Sequence, residues 1–153
     1  MMKPVDAEAL RAISFDGPSR GDSLTCGRPQ GPQAARVLFD LLYGLRWGDV
    51  QLAALAVVTG TGIGLDEAGF RYPADLDPCE ESFDGVNVYD PLDDIVVPHA
   101  AFEEVMARFF RALISGAQKL RDPVRSAPWW GELVRRTEEL EARVAKAAPG
   151  LSR

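Results

Sequence analysis

The sequence is poor in the residues that build covalent or metal-bound frameworks, with two cysteines and one histidine among 153 residues. Cys26 and Cys79 are too few for a disulfide framework, and their spacing matches no metal-binding pattern. The single histidine, His99, excludes most sites that require several histidine ligands. These shortages favour a reduced, cytoplasmic setting and argue against a metalloenzyme.

Long hydrophobic runs are also missing. The longest, Leu52 to Val58, has seven residues, whereas a membrane-spanning helix needs roughly 18. Residues 1–6 lack the apolar stretch of a secretory signal. We therefore expect a cytoplasmic protein that does not enter a membrane. With 46% hydrophobic and 26% charged residues, the composition predicts one globular domain over residues 1–153.

Positive charge is nearly absent from the middle of the chain. Between Asp66 and Glu104 there are twelve acidic residues and one basic residue, Arg71, so the net charge of this stretch is −11. We call residues 66–104 the acidic segment. Residues 105–153 have the opposite bias, with ten basic and five acidic side chains. Because a concentrated negative field repels phosphates, we expect no binding of nucleic acid through the acidic segment.

Apolar periodicity and capping residues predict four helices, at residues 6–13, 33–46, 102–114 and 129–147. Asp6 is the predicted N-cap of the first helix. The third is the clearest, because its apolar residues repeat at i, i+3, i+4 and i+7 for three turns. Gly116 is its predicted end. The run 51–58 fits either a helix or a strand.

Alternating apolar residues predict strands at 63–72, 83–89 and 95–97, the last two joined by a turn at 90–94. Residues 14–31 are rich in glycine and proline and predict a flexible loop. The tail from Pro149 should fray. The predicted fold class is α+β, with helices packed on a small, mainly antiparallel β-sheet.

The motifs that could carry catalysis fail on spacing. The glycines at 60, 62 and 64 match neither the dinucleotide-binding fingerprint nor the Walker loop, so we interpret them as a turn. The acidic residues between Asp75 and Glu81 lack the calcium-loop pattern. His99 has no serine or cysteine associated with it by a motif, and the helical register of Trp130 favours packing in the core. We predict no enzyme activity, no cofactor and no metal.

The acidic segment itself is the remaining functional feature. One interpretation is a surface that only keeps the protein in solution. The other is a surface that binds a cationic protein, because acidic residues surrounding aromatic anchors are typical of such interfaces. Composition leaves both interpretations open.

The order of motifs through residues 50–140 resembles the immunity proteins of bacterial contact-dependent growth inhibition systems, in the group paired with ribonuclease toxins. The stretches that carry the resemblance are Gly60-Thr61-Gly62, Phe70 to Pro78, Phe83 to Val88, Asp93 to Val97, and the helix opened by Phe102. The sequence departs from that pattern at Pro98, where a capping serine is usual, and at Ala74, where an acid is usual.

The resemblance implies an α+β protein that binds a basic toxin domain non-covalently and covers its active site or its RNA groove. Its carboxylates would imitate the phosphates of the toxin's substrate. The candidate partner-binding residues are Tyr72, Asp75, Asp77, Glu80, Glu81, Asp84, Tyr89, Asp90, Asp93 and Asp94. Two alternatives remain, an acidic adaptor or regulatory module for another basic protein and a small enzyme that uses the acidic loop with a divalent metal.

Overall fold

The computed structural model describes residues 2–15, 29–117 and 124–151, in which α-helices pack on one five-stranded sheet. The helices are α1 (Ala7–Arg11), α2 (Arg36–Tyr43), α3 (Trp47–Thr59), α4 (His99–Ala117) and α5 (Trp130–Leu151). The strands are β1 (Lys3–Pro4), β2 (Ile63–Leu65), β3 (Ala68–Arg71), β4 (Val86–Tyr89) and β5 (Asp94–Val97). Short 3-10 turns lie at Gln33–Ala35, Pro73–Asp75 and Val124–Ser126. The α+β fold class is confirmed.

The strand order across the sheet is β1-β5-β4-β3-β2. All neighbours are antiparallel except β1, which runs parallel to β5. β1 was not predicted, because two residues are too few for an alternating pattern to appear. The backbone N–H of Val5 continues the pairing by donating to the carbonyl of Val96 at 2.8 Å.

Two predicted elements have different bounds in the structure. The single strand predicted at 63–72 is a hairpin of β2 and β3, with Asp66 at the turn in a left-handed conformation (φ 55°). Aspartate tolerates that conformation better than most residues, which allows a tight reversal there. The ambiguous run 51–58 belongs to α3 (Trp47–Thr59), which Gly60 caps with a φ of 68°.

The core lies between one face of the sheet and the helices. Phe70, Val88 and Ile95 lie side by side on that face, and the ring of Phe102 in α4 packs on Phe70 with centroids 5.1 Å apart. The predicted helix at 102–114 is confirmed as part of α4, which passes through Gly116 to end at Ala117. Asp6 caps α1 as predicted, by accepting from the N–H of Ala9 at 2.8 Å.

The predicted loop at 14–31 is described only at its edges. Ser14 and Gln30 form an antiparallel bridge that brings those edges together, and residues 16–28 lie outside the described ranges. At the other end of the chain, α5 runs to Leu151, beyond the predicted end at 147. The last residues of the predicted tail, 152–153, are also outside the described ranges.

Candidate protein-binding surface

Strand register divides the acidic segment between opposite ends of the sheet. The β2–β3 and β4–β5 turns lie at one end, and the connection from β3 to β4 lies at the other. We call these the turn end and the loop end. Strands of this length put them roughly 13 Å apart, at about 3.3 Å per residue. The turn end carries Asp66, Glu67, Asp90 and Asp93, and the loop end carries Asp75, Asp77, Glu80, Glu81 and Asp84.

At the loop end, two carboxylates are committed to internal hydrogen bonds. Asp75 Oδ2 accepts from the backbone N–H of Tyr72 at 2.7 Å. Glu80 accepts from the backbone N–H of Asp77 and from Arg71 Nη1, both at 2.9 Å. The backbone donor and then Arg71 hold the pKa of Glu80 below its usual value. The carboxylates with no partner among the described residues are those of Asp77, Glu81 and Asp84.

A chain of polar contacts crosses the face of the sheet opposite the core, which we call the second face. Arg71 Nε donates to Asn87 Oδ1 at 2.8 Å. Asn87 Nδ2 donates to the carbonyl of Ile95 at 3.0 Å and to Asp94 Oδ1. We call Glu80, Arg71, Asn87 and Asp94 the polar ladder. The polar ladder pairs the side-chain amide of Asn87, a residue that is 0% exposed. It also links the loop end to Asp94, the first residue of β5 at the turn end.

At the turn end, hydrogen bonds fix the connection between β4 and β5. Asp90 Oδ1 accepts from the backbone N–H groups of Leu92 and Asp93 at 2.8 and 2.7 Å. Asp93 pairs with Lys3 at 3.2 Å. The backbone N–H of Asp94 and then Lys3 lower the pKa of Asp93. This turn presents Leu92 with 87% of its surface exposed, and no sequence motif marks this residue.

An acidic cleft of about 750 Å³ adjoins the turn end. Its walls are the end of α2, the start of α3, the β2–β3 turn and Pro91. The carboxylates that line it are Asp40, Asp49, Asp66 and Glu67. Asp40 pairs with Arg36 at 2.8 Å. Asp40 and Asp49 were not predicted as part of this surface, because they come from a segment of balanced charge. Only the tertiary fold brings them beside the acidic segment.

Neither predicted tyrosine anchor projects from the surface. Tyr72 is 5% exposed and packs edge-on against Phe70, with centroids 6.1 Å apart. This position corrects the expectation that its ring is an accessible anchor, because the ring completes the core beside α4. Burial raises the pKa of its hydroxyl, and Glu103 adds to the effect. Tyr89 is half-buried, and its ring extends over Gly69. A Cβ atom on Gly69 would lie only 2.8 Å from the hydroxyl oxygen of Tyr89.

Two arginines of α4 and α5 join these helices to their neighbours, although the side chain of Arg143 is 40% exposed. Arg108 donates to the carbonyls of Leu10 and Ile13 at 2.8 Å each, and so ties α1 to α4. Arg143 Nη1 donates to Glu103, a carboxylate in a residue that is 7% exposed, at 2.5 Å. Arg108 and Arg143 therefore contribute to helix packing, whereas Asp77, Glu81 and Asp84 of the acidic segment are exposed.

The other sequence candidates occupy structural positions. The glycine-rich stretch is a turn only in part, because Gly60 caps α3 in a left-handed conformation but Gly64 lies in β2. Trp130 is half-buried and packs on Trp47 with ring centroids 6.4 Å apart. His99 begins α4, with its ring 5.6 Å from that of Tyr72. Among the described residues, no three His, Cys, Asp or Glu side chains are grouped as metal ligands.

Comparisons with protein-family models, with curated proteins and with solved structures find no match to this chain. Within the described ranges, no helix combines the length and the apolar character needed to cross a membrane.

Proposed function

We propose that this chain is an immunity protein that acts in the cytoplasm by binding a cognate ribonuclease toxin domain. Binding is non-covalent and covers the active site or the RNA-binding surface of the toxin. One observation carries the proposal: the fold leaves carboxylates accessible at both ends of the sheet, and those of Asp77, Glu81 and Asp84 have no partner among the described residues. Both ends belong to the acidic segment, whose net charge of −11 is more negative than the −6 of the whole chain.

The chemistry of a ribonuclease explains why such a surface is effective. A protein that holds RNA must place lysines and arginines where phosphates bind. The free carboxylates of Asp77, Glu81 and Asp84 offer charges of the same sign as those phosphates. Charge complementarity of this kind raises the association rate, which limits the damage that a toxin can do before it is captured.

A co-expression rescue tests the proposal. The C-terminal domain of the toxin-like gene immediately upstream is induced with and without this chain, while growth and RNA integrity are followed. Rescue together with co-purification supports the immunity function. A toxic domain that is neither bound nor neutralised contradicts it, as does the absence of such a gene. An acidic adaptor for another basic protein would then be the better explanation of the surface.

Matched variants show whether the acidic segment is responsible. Asp77→Lys with Glu81→Lys reverses two free carboxylates at the loop end. Glu138→Lys with Glu139→Lys makes the same change in charge at exposed positions of α5. We expect the first pair to weaken the rescue and the second to preserve it. An equal loss of rescue by both double variants would mean that binding depends only on the net charge of the chain.

A further inference from the structure

Leu92 stands apart from the other apolar residues of the described chain. It is 87% exposed, whereas the next most exposed large apolar side chains are Leu52 at 48% and Tyr43 at 41%. Single exposed leucines are common on protein surfaces and need no explanation by themselves. Leu92 differs because it lies at the tip of a connection that is held in place and surrounded by carboxylates.

The backbone around Leu92 is ordered before any partner arrives. Asp90 accepts two backbone hydrogen bonds across the turn, and its own N–H donates to the carbonyl of Asp93 at 2.9 Å. Pro91 fixes one more backbone angle next to Leu92. A side chain presented on a preorganised turn loses little conformational entropy on binding, so more of the contact energy appears as affinity.

The charges next to this tip define the chemistry of a partner. Asp90, Asp93 and the four carboxylates of the acidic cleft lie at the same end of the sheet. Lys3 and Arg36 pair with Asp93 and Asp40, and Arg46 also lines the cleft. These three basic residues offset only part of the charge of the six carboxylates. A surface that accepts Leu92 must therefore combine an apolar depression with a rim of lysine or arginine side chains.

We propose that Leu92 is the apolar anchor of the toxin interface, inserted into an apolar pocket that basic residues surround. This inference rests on the proposed immunity function. It identifies Leu92 as the residue that makes the central apolar contact with the toxin. The roles then divide between two kinds of residue. The carboxylates steer the approach of the basic domain, and Leu92 holds the complex once it has formed.

Binding kinetics with the domain encoded immediately upstream test this division, by comparing the wild-type chain with Leu92→Ala. We expect Leu92→Ala to raise Kd by about tenfold or more through faster dissociation, with the association rate changed less than about twofold. Because Leu92 is exposed, the variant should unfold at the same urea midpoint as the wild type. Leu52→Ala, which truncates an exposed leucine on α3, is the matched control and should bind as the wild type does.

Each outcome has a distinct meaning. Wild-type binding that Leu92→Ala leaves unchanged overturns the anchor and leaves the immunity function intact. Equal weakening by Leu92→Ala and Leu52→Ala also overturns it, because the effect would not be specific to the turn. Failure of the wild-type chain to bind the upstream domain removes the proposed function and the anchor together.

Discussion

Arg71 Nε donates a hydrogen bond to Asn87 Oδ1 at 2.8 Å, on the face of the sheet opposite the core. Arg71 is the only basic residue in the acidic segment. It therefore does not simply reduce the charge of a surface, because it also satisfies a buried amide and holds Glu80 at the loop end. The polar ladder joins residues from three consecutive strands and the loop, which fixes the acidic ends relative to each other.

Removing the amide of Asn87 should destabilise the fold. Asn87→Ala leaves Arg71 Nε and the carbonyl of Ile95 without their partner on the second face, and a buried polar group left unpaired costs about 1–3 kcal/mol. We expect the free energy of unfolding in urea to fall by about that amount. Asp77→Ala, at an exposed position with no partner among the described residues, should change it by less than about 0.5 kcal/mol. Similar effects for the two variants would contradict the ladder.

The contact between Arg143 and Glu103 is the second site where a substitution should be costly. Arg143 also donates to the carbonyl of Val58 at 2.9 Å, so it connects α5 to α3 as well as to α4. Arg143→Met leaves the carboxylate of Glu103 buried without its partner. We expect a loss of about 3 kcal/mol in urea unfolding, the low end of the range for breaking a buried pair, because the side chain of Arg143 is 40% exposed.

The double variant Arg143→Met with Glu103→Leu separates the pair from the packing of either side chain. Replacing both partners with apolar residues removes the isolated charge, so most of the lost stability should return. If the double variant is as unstable as Arg143→Met alone, the loss comes from the contact with Val58 or from packing, and the ion pair is not the cause.

The hydroxyl of Tyr72 should contribute nothing to stability. It is buried and has no hydrogen-bond partner among the described residues, so Tyr72→Phe removes an unsatisfied polar atom and keeps the ring. We expect the free energy of unfolding to stay the same or to rise by up to about 1 kcal/mol. The raised pKa of Tyr72 adds a second readout. Because the raised pKa keeps the Tyr72 hydroxyl protonated, this group should not ionise in the folded protein at alkaline pH. The absorbance change on alkaline titration should therefore be the same for the wild type and for Tyr72→Phe.

Much of the fold could be predicted because its main elements carry local signals. The apolar spacing in α4 and the alternation in β4 and β5 persist over enough residues to identify the element. What was missed depends on contacts between distant segments. β1 has two residues and exists through its pairing with β5, and the run 51–58 becomes helical because α3 packs against α5.

The candidate surface could be predicted less well, for a geometric reason. Charge density in the sequence located the acidic segment, but only strand register decides that Asp77 and Asp90 lie at opposite ends of the sheet. The aromatic anchors were inferred from their proximity in sequence to acids. Tyr72 instead follows the alternation of β3 into the core, and the exposed apolar residue is Leu92.

Stability should fall in acid through carboxylates whose pKa is lowered in the folded state. The hydrogen bond from Arg111 lowers the pKa of Glu141, and Glu80 and Asp93 are lowered by the donors described above. The unfolded chain then binds more protons than the folded chain at acidic pH. The contribution of these carboxylates to stability is complete above pH 4.5, the ordinary pKa of glutamate. It is lost as the pH falls through their lowered pKa values. Urea unfolding between pH 7 and pH 3 measures this slope.

The variant Glu141→Gln should be less stable than the wild type at pH 7 and should lose less stability on acidification. Glu139→Gln removes a carboxylate from an exposed position on the same helix and is the control, with the wild-type slope expected. If Glu141→Gln loses stability on acidification as steeply as the wild type, the pair between Glu141 and Arg111 does not form in solution.

Charge reversal should affect toxin capture and fold stability at different residues. Asp75 and Glu80 accept hydrogen bonds from backbone N–H groups inside the loop. Reversing their charges should therefore lower the free energy of unfolding and also weaken binding to the toxin.

Asp77→Lys with Glu81→Lys changes only accessible charges. We expect this pair to slow association with the upstream-encoded domain by about tenfold at low salt, with dissociation little changed. At about 1 M salt, where screening acts within roughly 3 Å, wild type and variant should associate at similar rates. A slower association that persists at high salt would mean that the substitutions obstruct the interface sterically, and that electrostatic capture does not operate at the loop end.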